Sequence, residues 1–270
     1  MLGKRQVNLY KKYKETGKTS LIVYLVLRIL VLFCLVREAM MQHYQNVIYC
    51  IVTLLLFTLP IFVEERFRID FPDVFESAVY LFIFAAEILG EMGNFYNTYP
   101  YWDNILHGTN GFLCAALGFS LFDFLNRNTK GVQLSASFLT IVAFCFSMTV
   151  GALWELYEYT VDITLERDMQ RDRIVENISS KLLNPEGENE AVRIEGIQKT
   201  ILVLESGKTY EIDGGYLDIG IHDSMKDLVL NMAGAILFNI FGYLYVSGRD
   251  RYKLAEHLIP KEAGDTESGS

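Results

Sequence analysis

The run Leu21-Ile22-Val23-Tyr24-Leu25-Val26-Leu27-Arg28-Ile29-Leu30-Val31-Leu32-Phe33-Cys34-Leu35-Val36 is apolar at every position but one. It lacks the polar face of a helix lying on a soluble core, and it is too long for a buried strand. A segment that is hydrophobic all round belongs in lipid. Working outward, similar runs recur, so that apolar segments lie near 20–38, 44–63, 73–92, 104–124, 136–160 and 225–246. Each approaches the ~20 residues of helix that cross a hydrocarbon core of ~30 Å. Lipid cannot satisfy free backbone groups, so helices are the expected spanning form. With 51% hydrophobic residues and a mean hydropathy of +0.22 in 270 residues, the chain is too apolar for an ordinary soluble domain. The expectation is an all-α membrane protein, a bundle of six transmembrane helices.

Charge gives the orientation. Lys4, Arg5, Lys11, Lys12, Lys14 and Lys18 crowd ahead of the first segment, which places the N-terminus in the cytoplasm. The loops that should then also be inside carry Arg66 and Arg68, then Arg127 and Lys130, and the tail carries Arg249, Arg251, Lys253 and Lys261. Of the short loops placed outside, the first has Arg37 and 93–103 has no Lys or Arg. Both termini are therefore expected to be cytoplasmic, and the first segment, reading Cys34-Leu35-Val36-Arg37-Glu38 where a cleavage site would need small residues, is expected to be an uncleaved helix. The organisation expected is a basic leader over 1–19, helices one to five over 20–162, an extracytoplasmic insertion over 163–222, helix six over 223–246 and a cytoplasmic tail over 247–270, its end from Lys261 to Ser270 disordered. Within the insertion, 163–182 reads as a helical extension of the fifth span. Ile197–Leu204 and Thr209–Ile212 flank Glu205-Ser206-Gly207-Lys208 as a β-hairpin.

Cys34, Cys50, Cys114 and Cys145 all fall in apolar segments and offer neither a disulfide framework nor metal spacing. The loop Gly93-Asn94-Phe95-Tyr96-Asn97-Thr98-Tyr99-Pro100-Tyr101-Trp102-Asp103 reads as an interfacial aromatic belt, with a lid over a site as the alternative. No P-loop, nucleotide-binding glycine pattern or nucleophile triad is present, and the lysines read as topological, so no nucleic-acid partner is expected.

Ionisable groups within spans are costly, ~2.5–3.5 kcal/mol each at a helix centre, and by default mark function. The third segment carries Glu87 and Glu91, one turn apart on a regular helix. The fourth opens with Asp103 and His107 at the same spacing, followed by Asn110. The fifth leaves through Glu155, Glu158 and Asp162, at i, i+3 and i+7, within roughly 60–80° of one another. The sixth enters with Asp223, Asp227 and Asn231 in one stripe, with Lys226 between, and Ala233 and Gly234 follow to allow close helix approach. Taken singly, each has a plainer role: Asp103 as a helix cap, His107 as a packing residue, Glu91 as an interfacial group, Glu158 and Asp162 as a solvated helix end. The up-and-down topology brings all four clusters to the extracytoplasmic side. Only His107 and Lys226 are read there as basic groups, too few to balance the carboxylates. Protonation or a bound divalent cation must supply the rest, and carboxylates plus one imidazole suit Mg²⁺, Mn²⁺, Fe²⁺ or Zn²⁺. On that reading Asp103, His107, Glu155, Glu158, Asp162, Asp223 and Asp227 are metal ligands, Glu87 or Glu91 is a catalytic base, and Asn110, Asn231 and Lys226 are further polar groups.

Three stretches carry a resemblance: Tyr101-Trp102-Asp103-Asn104-Ile105-Leu106-His107-Gly108, Trp154-Glu155-Leu156-Tyr157-Glu158, and the run from Gly220 to Ala235. On these the chain resembles the YjdF-like bacterial membrane proteins. In the order of its motifs it is also similar to the VanZ-like proteins linked with glycopeptide resistance, although Glu155-x2-Glu158 departs from the Glu-x2-Gln type pattern expected there. The resemblance implies a multi-pass protein of the bacterial plasma membrane, associated with the cell envelope. Three functions stay open: a metal-dependent hydrolase or transferase on an envelope lipid or cell-wall substrate, a cation- or proton-coupled carrier, and a non-enzymatic envelope protein. Against the carrier, the fourth and sixth segments turn plainly apolar toward the cytoplasm.

Overall fold

The computed structural model describes residues 18–67, 69–128, 134–187, 189–248 and 261–262. Most of the basic leader, Arg68, Lys130, Arg249, Arg251 and Lys253 lie outside the described residues, as does the tail beyond Glu262.

The protein is mostly helical. Helices α1 (Lys18–Met40), α2 (Tyr44–Leu56) and α3 (Leu59–Phe67) are followed by strand β1 (Ile69–Asp70) and helix α4 (Asp73–Phe84). A π-helical stretch over Ala85–Met92 continues α4, and a single turn, α5 (Phe95–Thr98), leads into α6 (Trp102–Asn128) and α7 (Ala136–Leu165). Strands β2 (Arg173–Val175), β3 (Asn177–Ser180), β4 (Val192–Glu195), β5 (Lys199–Val203), β6 (Thr209–Asp213) and β7 (Tyr216–Asp218) precede α8 (Ile221–Ser247). Among the described residues, five helical segments are long and apolar enough to cross a membrane: Thr19–Met40, Tyr44–Phe67, Trp102–Asn126, Ala136–Leu165 and Ile221–Ser247. Their outward faces suit lipid, with Ile29, Phe33 and Leu55 each more than 60% exposed.

The segment 73–92, expected as one spanning helix, is not regular throughout. Its α-helix gives way at Ala85 to wider π turns, closed by Gly93 N–H donating to the Ile88 carbonyl at 2.8 Å. The widening alters the register of Glu87 and Glu91, which a regular helix would stack. Glu87 is half-buried and Glu91 exposed.

By contacts the chain divides into two compact units, Met1–Gly151 with Leu230–Ser270, and Ala152–Val229. In the first, one apolar core joins Phe71 and Phe75 to Leu113, Ala116 and Phe119 of α6, Leu139 and Ala143 of α7, and Ala235 and Phe238 of α8. A second core packs Leu27 and Val31 of α1 on Cys50, Phe57, Tyr80 and Ile83. A short strand β8 (Lys261–Glu262) pairs antiparallel with β1, so the disorder expected from Lys261 does not begin there.

In the second unit the helical extension expected over 163–182 stops after three residues. Helix α7 ends at Leu165, Glu166 takes a left-handed φ of 51°, and strands follow. The cause is local: the Asp162 carboxylate accepts the amides of Met169 at 2.6 Å and Gln170 at 2.8 Å, drawing the chain back on itself. Antiparallel pairing of β2 with β7 then supplies backbone partners that a helix would otherwise have provided. Strands β3 and β4 pair likewise, and β5 pairs with β6 in a register that sets Lys199 opposite Asp213 and Val203 opposite Thr209.

Candidate functional site

In the first unit α6 begins at Trp102, which puts Asp103 inside the first turn rather than ahead of it. Its carboxylate lies 3.5 Å from His107 Nε2, both side chains being buried. The i,i+4 pairing read from the sequence is therefore made. A carboxylate set against an imidazole fixes which ring nitrogen carries the proton and how the ring points. On either side of Asp103, Trp102 Nε1 and Asn104 Oδ1 are buried with no hydrogen-bond partner among the described residues.

One to two turns deeper, Asn231 knits three helices together. Its Oδ1 accepts from Asn110 Nδ2 at 3.0 Å, and its Nδ2 donates to the Ser147 carbonyl at 3.3 Å. The Ser147 hydroxyl donates to the Gly111 carbonyl at 2.8 Å. Small residues permit this approach. A Cβ built on Gly234 would stand 1.9 Å from the Gly108 carbonyl oxygen, and one on Gly151 would stand 2.7 Å from Asn231 Nδ2. Asn110 and Asn231 thus hold α6, α7 and α8 at fixed axial positions.

In the second unit Glu155 and Glu158, both buried, have carboxylate oxygens within 4.8 Å of one another. Trp154 Nε1 donates to Glu158 Oε1 at 2.8 Å, which holds that carboxylate in place. Asp162 is committed to the two amides that turn the chain after α7. Asp223 Oδ1 accepts from Arg173 at 2.6 Å and from Lys226 at 2.8 Å, and Lys226 also lies 3.4 Å from Asp227. Gln170 Nε2 donates to Ser224 Oγ at 2.6 Å, tying the strand-bearing segment to the start of α8.

Residues 21–248 match the family described as a predicted membrane protein, DUF2238. The chain belongs to this family. No curated protein and no solved structure matches it.

The match takes in every candidate ligand, base and further polar residue of this DUF2238 chain named above. One group escaped that reading: Arg173. It falls within the stretch expected to extend the fifth helix, whereas it opens β2 and reaches Asp223, 50 positions along the chain. Basic groups near the acidic stripe are thus more numerous than His107 and Lys226. The missed signal was β propensity in Ile174-Val175, a run too short to register against helix-forming neighbours.

Proposed function

We propose that this DUF2238 protein is a polytopic bacterial plasma-membrane protein with a divalent-cation site at its extracytoplasmic end, and that the cation serves a hydrolase or transferase acting on an envelope lipid or cell-wall substrate. The family's description as a predicted membrane protein is compatible with the YjdF-like resemblance read from the motifs. On this reading 73–92, α-helix and π stretch together, is a further crossing. Both termini are cytoplasmic and the strand-bearing stretch within 163–222 lies outside.

The observation that carries the proposal is the pair Glu155 and Glu158: two buried carboxylates within 4.8 Å, on a helix otherwise apolar enough to span a bilayer. Two anions that close in a poorly solvated place call for a cation or a shared proton. Helical repeat supports a wider set. Asn231 binds Asn110 and Ser147 and abuts Gly111 and Gly151. Counting one turn toward the same end from these contacts leads to Asp227 on α8, His107 on α6 and Glu155 on α7.

Asp103, His107, Glu155, Glu158 and Asp227 are the proposed ligands. Asp162 and Asp223, committed to amides and to cations, act as the supports that set the geometry. One imidazole among carboxylates suits Mg²⁺, Mn²⁺, Fe²⁺ or Zn²⁺. Such an ion supplies polarisation of a phosphoryl or carbonyl oxygen, or activation of water. Glu87, half-buried in the π stretch, is the proposed base, with Glu91 as its alternative; π turns recur at functional positions.

Elemental analysis of detergent-purified protein tests this. Near-stoichiometric metal in the wild type, lost in a Glu155→Gln, Asp227→Asn double variant that still elutes as a folded species, is the expected result. Metal absent from wild type after incubation with each of the four ions and removal of excess would refute it.

A further inference from the structure

Three charged side chains in the second unit, Arg173, Lys226 and Asp223, form one compact arrangement. Asp223 is almost fully buried, and a single one of its oxygens, Oδ1, accepts from both the Arg173 guanidinium at 2.6 Å and the Lys226 ammonium at 2.8 Å. The two cationic nitrogens are therefore no farther apart than those two distances placed end to end. Like charges so close repel, and the pair is held by two buried carboxylates, Asp223 between them and Asp227 at 3.4 Å from Lys226.

Both cationic heads keep solvent access. The side chain of Arg173 is 40% exposed and that of Lys226 is 29% exposed, against 2% for Asp223 beneath them. Each retains N–H donors that Asp223 does not take, five on a guanidinium and three on an ammonium being the full complement. Their anchoring is rigid. Arg173 is fixed by β2 pairing with β7, where it faces Asp218, and Lys226 stands three residues beyond Asp223 on α8. Two preordered, part-exposed cations with spare donors, anchored from beneath on buried carboxylates, match an oxyanion with several acceptor oxygens.

We propose that Arg173 and Lys226, braced together on Asp223, bind a phosphoryl group, so that the substrate of this site is a phosphate ester or anhydride. As a statement about substrate this rests on the metal-site reading; as a statement about anion binding it stands on the three side chains alone. Asp223 is a positioning residue, since its place is beneath the two cations. A phosphoryl group could be offered by a lipid headgroup or by a soluble phosphate, and the two share the same recognition.

The test is equilibrium binding of two probes to the full chain in neutral detergent, inorganic phosphate and a short-chain phosphatidic acid, each with and without chelator and with metal content measured in parallel. We expect wild type to bind at least one probe. Arg173→Gln, Lys226→Gln together should weaken that binding by about tenfold or more, in the chelated protein as well as in the metal-loaded one, and Lys226→Arg, which keeps the charge, should retain it. Tighter binding of phosphatidic acid assigns the headgroup as source, and equal binding assigns a soluble phosphate; either supports the site. Phosphate binding by wild type that retains no metal even after incubation with each of the four ions upholds the anion site while refuting the metal reading. Equal affinity in wild type and the double variant, or no binding of either probe by wild type, overturns the proposal.

Discussion

Gly111 sits directly against the backbone of Asn231: a Cβ built on the glycine would lie 1.9 Å from the Asn231 carbonyl oxygen and 2.7 Å from its carbonyl carbon. A methyl group there meets main chain, which cannot rotate away. Gly111→Ala should therefore force α6 and α8 apart and cost at the top of the usual overpacking range of about 1–3 kcal/mol. Gly108→Ala is the control, since its Cβ would meet only the Leu230 carbonyl at 3.9 Å, an ordinary contact. Thermal unfolding in detergent should show a clear loss for the first substitution and little change for the second. Equal melting of both would mean that the helices are not packed this closely.

Asn231 gives a second prediction of a different kind. Replaced by Leu, it loses the bond from Asn110 and the bond to Ser147 and leaves Asn110 Nδ2 without the partner it has now. Interhelical bonds in membranes are worth about 0.6 kcal/mol on average and ~1.7 at most, so stability should fall by about 1–2 kcal/mol. If Asn231 also sets the axial register of α6, α7 and α8, metal content should drop along with stability. Unchanged metal stoichiometry in Asn231→Leu would separate the clamp from the proposed site.

These contacts show what the sequence could and could not tell. Of the six segments that long apolar runs mark, five are long and apolar enough to span, because hydrophobicity sustained over some twenty residues has one physical use. The i,i+4 pairing of Asp103 with His107 was equally plain, since helical periodicity alone sets it. What stayed hidden depends on neighbours distant in sequence. The π turns after Phe84 leave no compositional mark in Ala85-Ala86-Glu87-Ile88, and the wider turns change the stacking of Glu87 and Glu91. The stretch after Leu165 read as helix because Arg, Asp, Gln and Met are compatible with one. Two amides captured by Asp162 and a strand partner for Arg173 in Asp218, 45 positions on, override that preference. Arg173 was lost to the same misreading.

The loop after α7 also carries a pH-dependent term. Partial desolvation, together with the carboxylates of Asp168, Asp162 and Asp218, holds Asp172 above the ordinary aspartate range. A carboxyl group whose folded-state value is raised binds its proton more readily in the folded protein. Its contribution therefore becomes unfavourable as pH rises from the unfolded value through the raised one, and is absent below both. Asp172→Asn should stabilise the second unit at neutral pH, with the gain shrinking as pH falls through the aspartate range. Hydrogen exchange of the β2–β7 amides in wild type and variant, measured at two pH values, reads this; a gain that grows on acidification would contradict it.

The side of the membrane occupied by β5 and β6 can be read from their turn. Ser206 lies in the exposed segment between them, where a cysteine disturbs no packing. In a background with Cys34, Cys50, Cys114 and Cys145 replaced by Ser, Ser206→Cys should react with a membrane-impermeant maleimide in intact cells. Labelling only after permeabilisation would invert the proposed orientation and move the carboxylates to the cytoplasmic face.

Trp154 offers an optical view of the proposed metal site. Its indole N–H donates to Glu158 Oε1 at 2.8 Å, so an ion held by Glu158 would sit within a few atoms of the ring. The chain has two tryptophans, and Trp102→Phe leaves Trp154 as the single emitter. Mn²⁺ is paramagnetic and among the ions the ligand set suits, and quenching at this range should be strong. Titrating Mn²⁺ into the Trp102→Phe protein should quench Trp154 emission in a saturable way. Mg²⁺, competing for the same oxygens without quenching, should reverse it. Glu155→Gln should raise the Mn²⁺ concentration needed while leaving the Trp154–Glu158 bond intact. Linear, unsaturable quenching identical in the two proteins would mean collision with free ion, and Glu155 and Glu158 would then be a proton-sharing pair.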